Sequence, residues 1–433
     1  MSYSTRVSEL LHSVHANEGD TLTLAKQGRE YTGVLMPHHA FSDPEVIVLK
    51  MKSGYNIGVR VTEDARLSKQ VAATEKKHRH RAAGLKAGDK KSVAVLGTGG
   101  TIASYVDYRT GAVHPALSAD DLVSAVPEMA EICNIDAKVL FSIFSENMRV
   151  ENWQAIAAAV ADRLDKGDEG CIIPHGTDTM GYTSAALSFM LEDLPRPVVL
   201  VGAQRSSDRP SSDAYTNLLA SVRFCVESDA AEVFVLMHQT PSDTMAAIHR
   251  GTRVRKMHAS RRDAFESVNV GPVARMAFEG ELSMLAPYKK KHAGKVVLRP
   301  DMEPSVGLLF FYPGMSHSIF EQVMLKHRGM VIAGTGLGHV SADMVHSIKA
   351  AVKQGVKVVM TSQCLWGRVN LNVYDTGRDL LSAGVIPGED MLPETAYIKL
   401  MWVLANSRND EEATRLMTTD LRGEMADRRE LDG

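Results

Sequence analysis

Two short turns carry the residue types that acyl chemistry needs. GTGGTIAS (97–104) ends the apolar run SVAVLG (92–97), and HGTDTMGYTSA (175–185) follows GCIIP (170–174). The first turn offers Thr101 behind Gly97, Gly99 and Gly100; the second offers Thr177 and Asp178. Glycines let the backbone approach a ligand closely and leave its N–H groups free. The N–H groups of Gly99 and Gly100 are therefore candidates to stabilise an oxyanion. A Thr hydroxyl is a poor nucleophile alone and needs a base beside it. A Lys amine taken out of water can lose its charge and act as that base, while a neighbouring carboxylate opposes the change. The glycine spacing is neither GxGxxG nor GxxxxGKS, so a dinucleotide or phosphate-loop site is not expected. GTGLGH (334–339) lacks the final glycine of a nucleotide loop and reads as a structural turn. His175 has no HxH or HExxH partner, and no metal is expected.

Parallel strands must position such turns. SVAVLG, KVLFSIF (138–144), GCIIP, PVVLVG (197–202) and EVFVLM (232–237) are short runs rich in Val, Ile and Leu. Strands buried on both faces of a sheet have this character. Between them lie helical stretches such as ENWQAIAAAVADRLDKG (151–167), with Trp153, Ile156, Val160 and Leu164 at helical spacing. Alternation of strand and helix predicts a doubly wound α/β fold over about 91–290. In such a sheet ligands bind outside the carboxyl ends of the strands, so both Thr turns face one crevice.

A polar stretch, PYKKKHAGKVVLRPDM (287–302), separates this block from a second α/β unit over 303–433. Before both, residues 1–75 carry EGDTLTL, REYTGVLM, EVIVLK and YNIGVRV, which predict a small antiparallel β-barrel-like module. It lacks a cluster suited to chemistry and reads as a docking module. The intervening linker is basic: KKHRHRAAGLKAGDKK (76–91) holds seven Lys/Arg and one Asp. It reads as a solvated linker or a contact for phosphates or an acidic partner. No aromatic residue within it supports base stacking.

Composition excludes several classes. With 433 residues, 44% hydrophobic and 23% charged, the chain has ordinary globular usage, not that of a disordered or fibrous protein. No apolar run approaches the ~20 residues of a membrane span, and no secretion signal is visible. A net charge of −3 argues against a chain that grips nucleic acid along its whole length. The four cysteines, Cys133, Cys171, Cys225 and Cys364, have no CxxC spacing and are expected to be reduced core thiols in a cytoplasm.

Taken together, GTGGTIAS, HGTDTM, SENM (145–148), VGAQR (201–205) with Ser212, Asp213 and Asn217, VRKMHASRRDAFES (254–267) and AGTGLG (333–338) resemble the bacterial-type L-asparaginase family. The resemblance covers about 91–420. It implies that Thr101 is the nucleophile that attacks a side-chain amide carbonyl. Thr177, Asp178 and Lys256 match the family's second catalytic group. Ser145 matches the Ser that binds the substrate α-carboxylate, Asp178 also matches the residue that holds the α-amino group, and Glu146 stands where the family has Glu or Gln beside the substrate. The chain departs from the family near Ala112, where a Tyr is usual; Tyr105 and Tyr108 share that loop. Tyr374 and Asp375 lie in the region from which a neighbouring subunit offers an acid.

About 90 residues precede the first Thr motif, which stand-alone asparaginases lack. The β-module, basic linker and both Thr motifs together resemble the D-subunit family of archaeal-type glutamyl-tRNA(Gln) amidotransferases over essentially the whole chain. That resemblance implies ammonia release from asparagine or glutamine. It implies an E subunit as partner, which uses ATP and Mg²⁺ to convert Glu-tRNA(Gln) into Gln-tRNA(Gln). It also implies a homodimer core in a complex of two D and two E chains, with no cofactor in this chain and no membrane contact. A stand-alone L-asparaginase with an added N-terminal module is the alternative, and a non-catalytic binding protein on the same scaffold is the third reading.

Overall fold

The computed structural model describes residues 3–36, 38, 42–51, 56–70, 90–99, 104–107, 112–115, 128–205 and 212–427. Thr101, Gly100, most of the basic linker and the tail beyond 427 lie outside the described residues.

The N-terminal module begins with a helix, Thr5–Ser13, whose first turn is capped by the Ser4 hydroxyl. Five strands follow: β1 (Thr21–Lys26), β2 (Arg29–Leu35), β3 (Val46–Lys50), β4 (Asn56–Arg60) and β5 (Arg66–Lys69). They pair antiparallel in the order β4-β3-β2-β1-β5. Leu22, Leu24, Ile47 and Leu49 alternate inward and pack with Val7 and Leu11 of the helix. Among the described residues β4 and β5 do not pair with each other, so this is a curled open sheet rather than a closed barrel.

The central sheet has eight strands: β6 (Ser92–Gly97), β9 (Asn134–Val139), β10 (Cys171–Pro174), β12 (Val198–Val201), β13 (Val233–His238), β14 (Met245–Arg250), β17 (Ala274–Ala277) and β18 (Leu282–Met284). Between them in sequence lie two hairpins, β7 (Ser104–Asp107) with β8 (Ala112–Pro115) and β15 (Val254–Lys256) with β16 (Phe265–Ser267). A two-residue strand, β11 (Leu191–Glu192), pairs outside the sheet with β19 (Val297–Leu298). The order is β18-β17-β14-β13-β12-β10-β6-β9. The five strands β9, β6, β10, β12 and β13 are parallel, as the apolar runs predict.

The other three extend the sheet antiparallel. Only six residues join β13 to β14, too few for the crossover of a dozen or more that a parallel strand needs. The expected strand at 138–144 shifts to Asn134–Val139 for a related reason. β9 is the sheet edge, so its burial alternates instead of being continuous. Residues 140–144 instead form the loop that delivers Ser145.

Helices cover both faces. In Val150–Asp165, Trp153, Ile156, Val160 and Leu164 are buried, at the spacing read from the sequence. Val198, Val199, Leu200 and Val201 are all fully buried, and each such side chain contributes roughly 1.5–3 kcal/mol relative to exposure.

The last unit carries a parallel sheet of β20 (Val306–Phe310), β21 (Gly329–Gly334), β22 (Lys357–Ser362) and β23 (Ile386–Pro387). Its helix Pro393–Asn406 packs against the central unit's helix Met180–Met190; Phe189 stacks on Trp402 with ring centroids 6.1 Å apart. GTGLGH is a tight structural turn, with Thr335 bridging His339 and both Gly336 and Gly338 at positive φ. Three cysteines are buried as expected, but Cys364 is exposed on the loop after β22 and is not a core thiol.

Candidate active site

β6 and β10 are neighbours at the point where the chain order of the sheet reverses. From β6 the chain goes to β9 on one side and returns to β10 on the other. Crossovers on opposite faces open a crevice there. The two Thr-bearing turns leave these strands side by side. Thr98 donates to Pro174 O from its N–H at 3.2 Å and from its hydroxyl at 2.8 Å, which stitches the strand ends together.

The loop after β9 closes against both turns. Gly99 has φ +102°, and a Cβ there would lie 2.5 Å from Ile143 O, so only glycine fits. A Cβ on Gly176 would lie 2.7 Å from Ser145 Cβ. Thr179 donates its hydroxyl to Ser145 O at 2.7 Å. Ser145 is therefore held, buried, beside the HGTD turn, on the short 3₁₀ turn Ser145–Asn147. Glu146, next on that turn, is exposed.

Lys256 arrives from the far side on β15. Its Nζ donates to Thr177 Oγ1 at 2.8 Å and to Asp178 Oδ1 at 2.7 Å. Thr177 is buried, while the Asp178 side chain is 69% exposed. An ion pair with one half in water contributes only about 0–1 kcal/mol. Holding the fold together is thus a poor explanation for this pair. It differs from Lys399 and Glu424, both fully buried and 2.6 Å apart, which pin the C-terminal segment to the helix Pro393–Asn406.

Beneath the turn lies a buried polar chain. His175 Nδ1 contacts Gly176 O at 2.7 Å and Nε2 contacts Thr183 Oγ1 at 2.9 Å; Trp153 Nε1 donates to the same hydroxyl at 3.0 Å. Both ring nitrogens are occupied by these bonds. Burial holds the imidazole neutral by moving its pKa down to about 4.

The VGAQR segment is fixed in a similar way. The Asp213 carboxylate accepts the N–H groups of Gln204 and Arg205, and Asn217 Nδ2 donates to Gly202 O at 3.0 Å. Burial raises the Asp213 pKa. Asp213 and Asn217 thus shape the loop after β12.

The structure brings Thr177, Asp178, Lys256 and Ser145 to one crevice, with Gly99 at its edge. Thr101 and Gly100 fall outside the described residues. Thr179, Thr98 and His175 support the site in ways that the sequence left unread. Thr179 stands inside the HGTDTM motif, but its acceptor is 34 residues away in the chain.

Comparison with known proteins agrees with this arrangement. Residues 92–288 match the family model "Asparaginase, N-terminal", residues 305–417 match "Glutaminase/Asparaginase C-terminal domain", and residues 16–68 match "GatD N-terminal domain". The thermostable L-asparaginase of Thermococcus kodakarensis superposes with TM-score 0.69 at 33% identity, covering 77% of this chain and 99% of that one. L-asparaginase I of Vibrio cholerae gives TM-score 0.69 at 31% identity, covering 78% and 100%. The D subunit of the glutamyl-tRNA(Gln) amidotransferase of Saccharolobus islandicus is 45% identical over 437 residues, covering 100% of this chain and 98% of that one. The corresponding protein of Pyrococcus furiosus is 51% identical over 427 residues, 97% of each chain. Similarity of this extent, running from the N-terminal module through both asparaginase units, shows that the chain belongs to the D-subunit family of glutamyl-tRNA(Gln) amidotransferases, amidohydrolase subunits on an asparaginase fold.

Proposed function

We propose that this chain hydrolyses the side-chain amide of asparagine or glutamine with Thr101 as nucleophile and supplies the ammonia to an E subunit. The observation that carries the reading is the Thr177–Lys256–Asp178 contact at the end of β10, beside the strand that leads to Thr101. Thr101 Oγ attacks the amide carbonyl, and the backbone N–H groups of Gly99 and Gly100 receive the oxyanion. The hydroxyl proton passes to the leaving nitrogen, the C–N bond breaks, and ammonia departs from an acyl-enzyme. Water then cleaves the ester and returns the proton to Thr101. Thr177, Lys256 and Asp178 relay protons in these steps. Ser145 holds the substrate α-carboxylate with Glu146 beside it, and Asp178 holds the α-amino group.

In this reading the E subunit activates Glu-tRNA(Gln) with ATP and Mg²⁺ and receives the ammonia. We assign both to the partner. Neither glycine turn has the Lys-Ser ending of a phosphate loop. The working complex has two copies of this chain paired at their core and two E chains, in the cytoplasm. No helix among the described residues is long and apolar enough to cross a membrane.

A second reading, ammonia release that needs no partner, draws on the structural likeness to the L-asparaginases of Thermococcus kodakarensis and Vibrio cholerae, which covers 77–78% of the chain. Ammonia release from asparagine, measured with and without the E subunit and Glu-tRNA(Gln), separates the two. Weak release that rises strongly in the complex is expected. Fast release that ignores partner and tRNA would favour the second reading. Unchanged release from Thr101→Ala would remove Thr101 as nucleophile.

A further inference from the structure

Lys256 ends β15, a three-residue strand that pairs, among the described residues, with β16 alone. A two-stranded hairpin is marginally stable at best on its own. Something outside the hairpin must fix where the amine stands.

Both ends of the hairpin are tied to the last unit at one residue, Asp390. Arg253, immediately before β15, is buried; its Nη1 donates to Asp390 Oδ2 at 2.8 Å and its Nε to Gly423 O at 2.8 Å. Asn269, two residues after β16, donates from Nδ2 to Asp390 O at 3.1 Å and to Gly367 O at 3.0 Å. The Gly367 N–H returns to Asn269 Oδ1 at 2.8 Å. The remaining Asp390 carboxylate oxygen accepts the Ala426 N–H at 3.1 Å. Thr252, beside Arg253, donates to Arg422 O at 3.1 Å. The segment 422–426 is itself held by the buried Lys399–Glu424 pair.

The strand register completes the arrangement. Successive side chains on a strand point to opposite faces. Arg255 reaches Glu394 at the start of the helix Pro393–Asn406, at 3.3 Å. Lys256, the next residue, therefore faces away from that helix, toward Thr177.

We propose that Arg253 is a positioning residue for Lys256, acting through Asp390, Asn269 and the C-terminal segment. The unit around β20–β23 thereby sets the proton-transfer geometry of a crevice whose described groups all come from the central unit. This rests on the catalytic role assigned to Lys256 above. Misplacing a reacting group by about 1 Å can cost roughly 10²-fold in rate. Arg253 is suited to the task because its planar fork meets two acceptors at fixed angles, which a Lys cannot reproduce.

The test uses the full chain with its E subunit and compares wild type, Arg253→Lys, Arg255→Gln and Lys256→Met. Read out are kcat, KM for asparagine, the pH profile of kcat and the thermal midpoint. Arg253→Lys is expected to lower kcat about 10–100-fold with KM within about threefold, and to shift the kcat–pH profile. Arg255→Gln, at a less buried position, moves kcat the same way by less and keeps a near wild-type midpoint; it carries the test if Arg253→Lys does not fold. Wild-type kcat and pH profile in both Arg variants, with Lys256→Met inactive, would overturn the positioning role and leave the catalytic reading intact. An active Lys256→Met would overturn both.

Discussion

Lys256 Nζ lies 2.8 Å from Thr177 Oγ1, although 79 residues separate the two in the chain. The strand β10 brings Thr177 to the sheet's carboxyl edge, and the β15–β16 hairpin returns Lys256 to the same point. The contact depends on three strand directions and on a clamp from a different unit.

Breaking that contact should cost rate and little stability. Lys256→Met is expected to lower ammonia release by about 10²–10⁴-fold, the range for losing a positioned proton-transfer group. Asp178 is largely in water, so the thermal midpoint should stay close to wild type. Thr177→Val should follow in the same direction. Steady-state kinetics beside a melting curve checks both. A variant with normal kcat would show that the pair is only a surface bridge.

Gly99→Ala tests how the two turns share the crevice. The new Cβ would meet Ile143 O at 2.5 Å with φ at +102°, so the backbone must move. The moved segment leads to Thr101 on one side and leans on the loop to Ser145 on the other. Both kcat and KM for asparagine should worsen, by about tenfold or more in kcat/KM. Gly19→Ala is the control, since its Cβ meets nothing within 4 Å and its φ is also positive, at +89°. Equal kinetics for the two variants would count against the close approach.

Acid should unfold the protein through two histidines. Burial lowers the pKa of His175 and of His249 from 6.5 to about 4. In the unfolded chain both take up a proton near pH 6.5, whereas in the fold they stay neutral down to about pH 4. The unfolded state therefore binds more protons in this window, and stability falls as pH drops from about 6.5 to 4. Each contributes up to roughly 3 kcal/mol of that loss. Between pH 6.5 and 4 any loss of activity through His175 should track unfolding, because in the folded chain the imidazole stays neutral and keeps the two hydrogen bonds that support the Gly176–Thr177 turn. Urea unfolding at pH 7 and pH 5 measures the difference. His249→Gln should reduce it, and an unchanged pH slope in that variant would remove His249 from the account.

The chain alone determined the parallel core and the two Thr turns, because both are local. Continuous Val, Ile and Leu over four to six residues marks a strand buried on both faces, and glycine-rich turns after it need no distant partner to be read. The antiparallel extension of the sheet was hidden, since β17 and β18 are short and partly polar and β14 ends in His249 and Arg250. The edge strand β9 was read too far along the chain for the same reason, its alternation being weaker than the apolar run beyond it. Lys256 illustrates the division most clearly. In the sequence it stands in a basic stretch that resembles a solvated surface, and only family resemblance singles it out. Its position depends on long-range hydrogen bonds, such as Arg253 to Asp390 across 137 residues. No local pattern encodes a contact of that separation, because its partners meet only after the central sheet and the last unit have packed together.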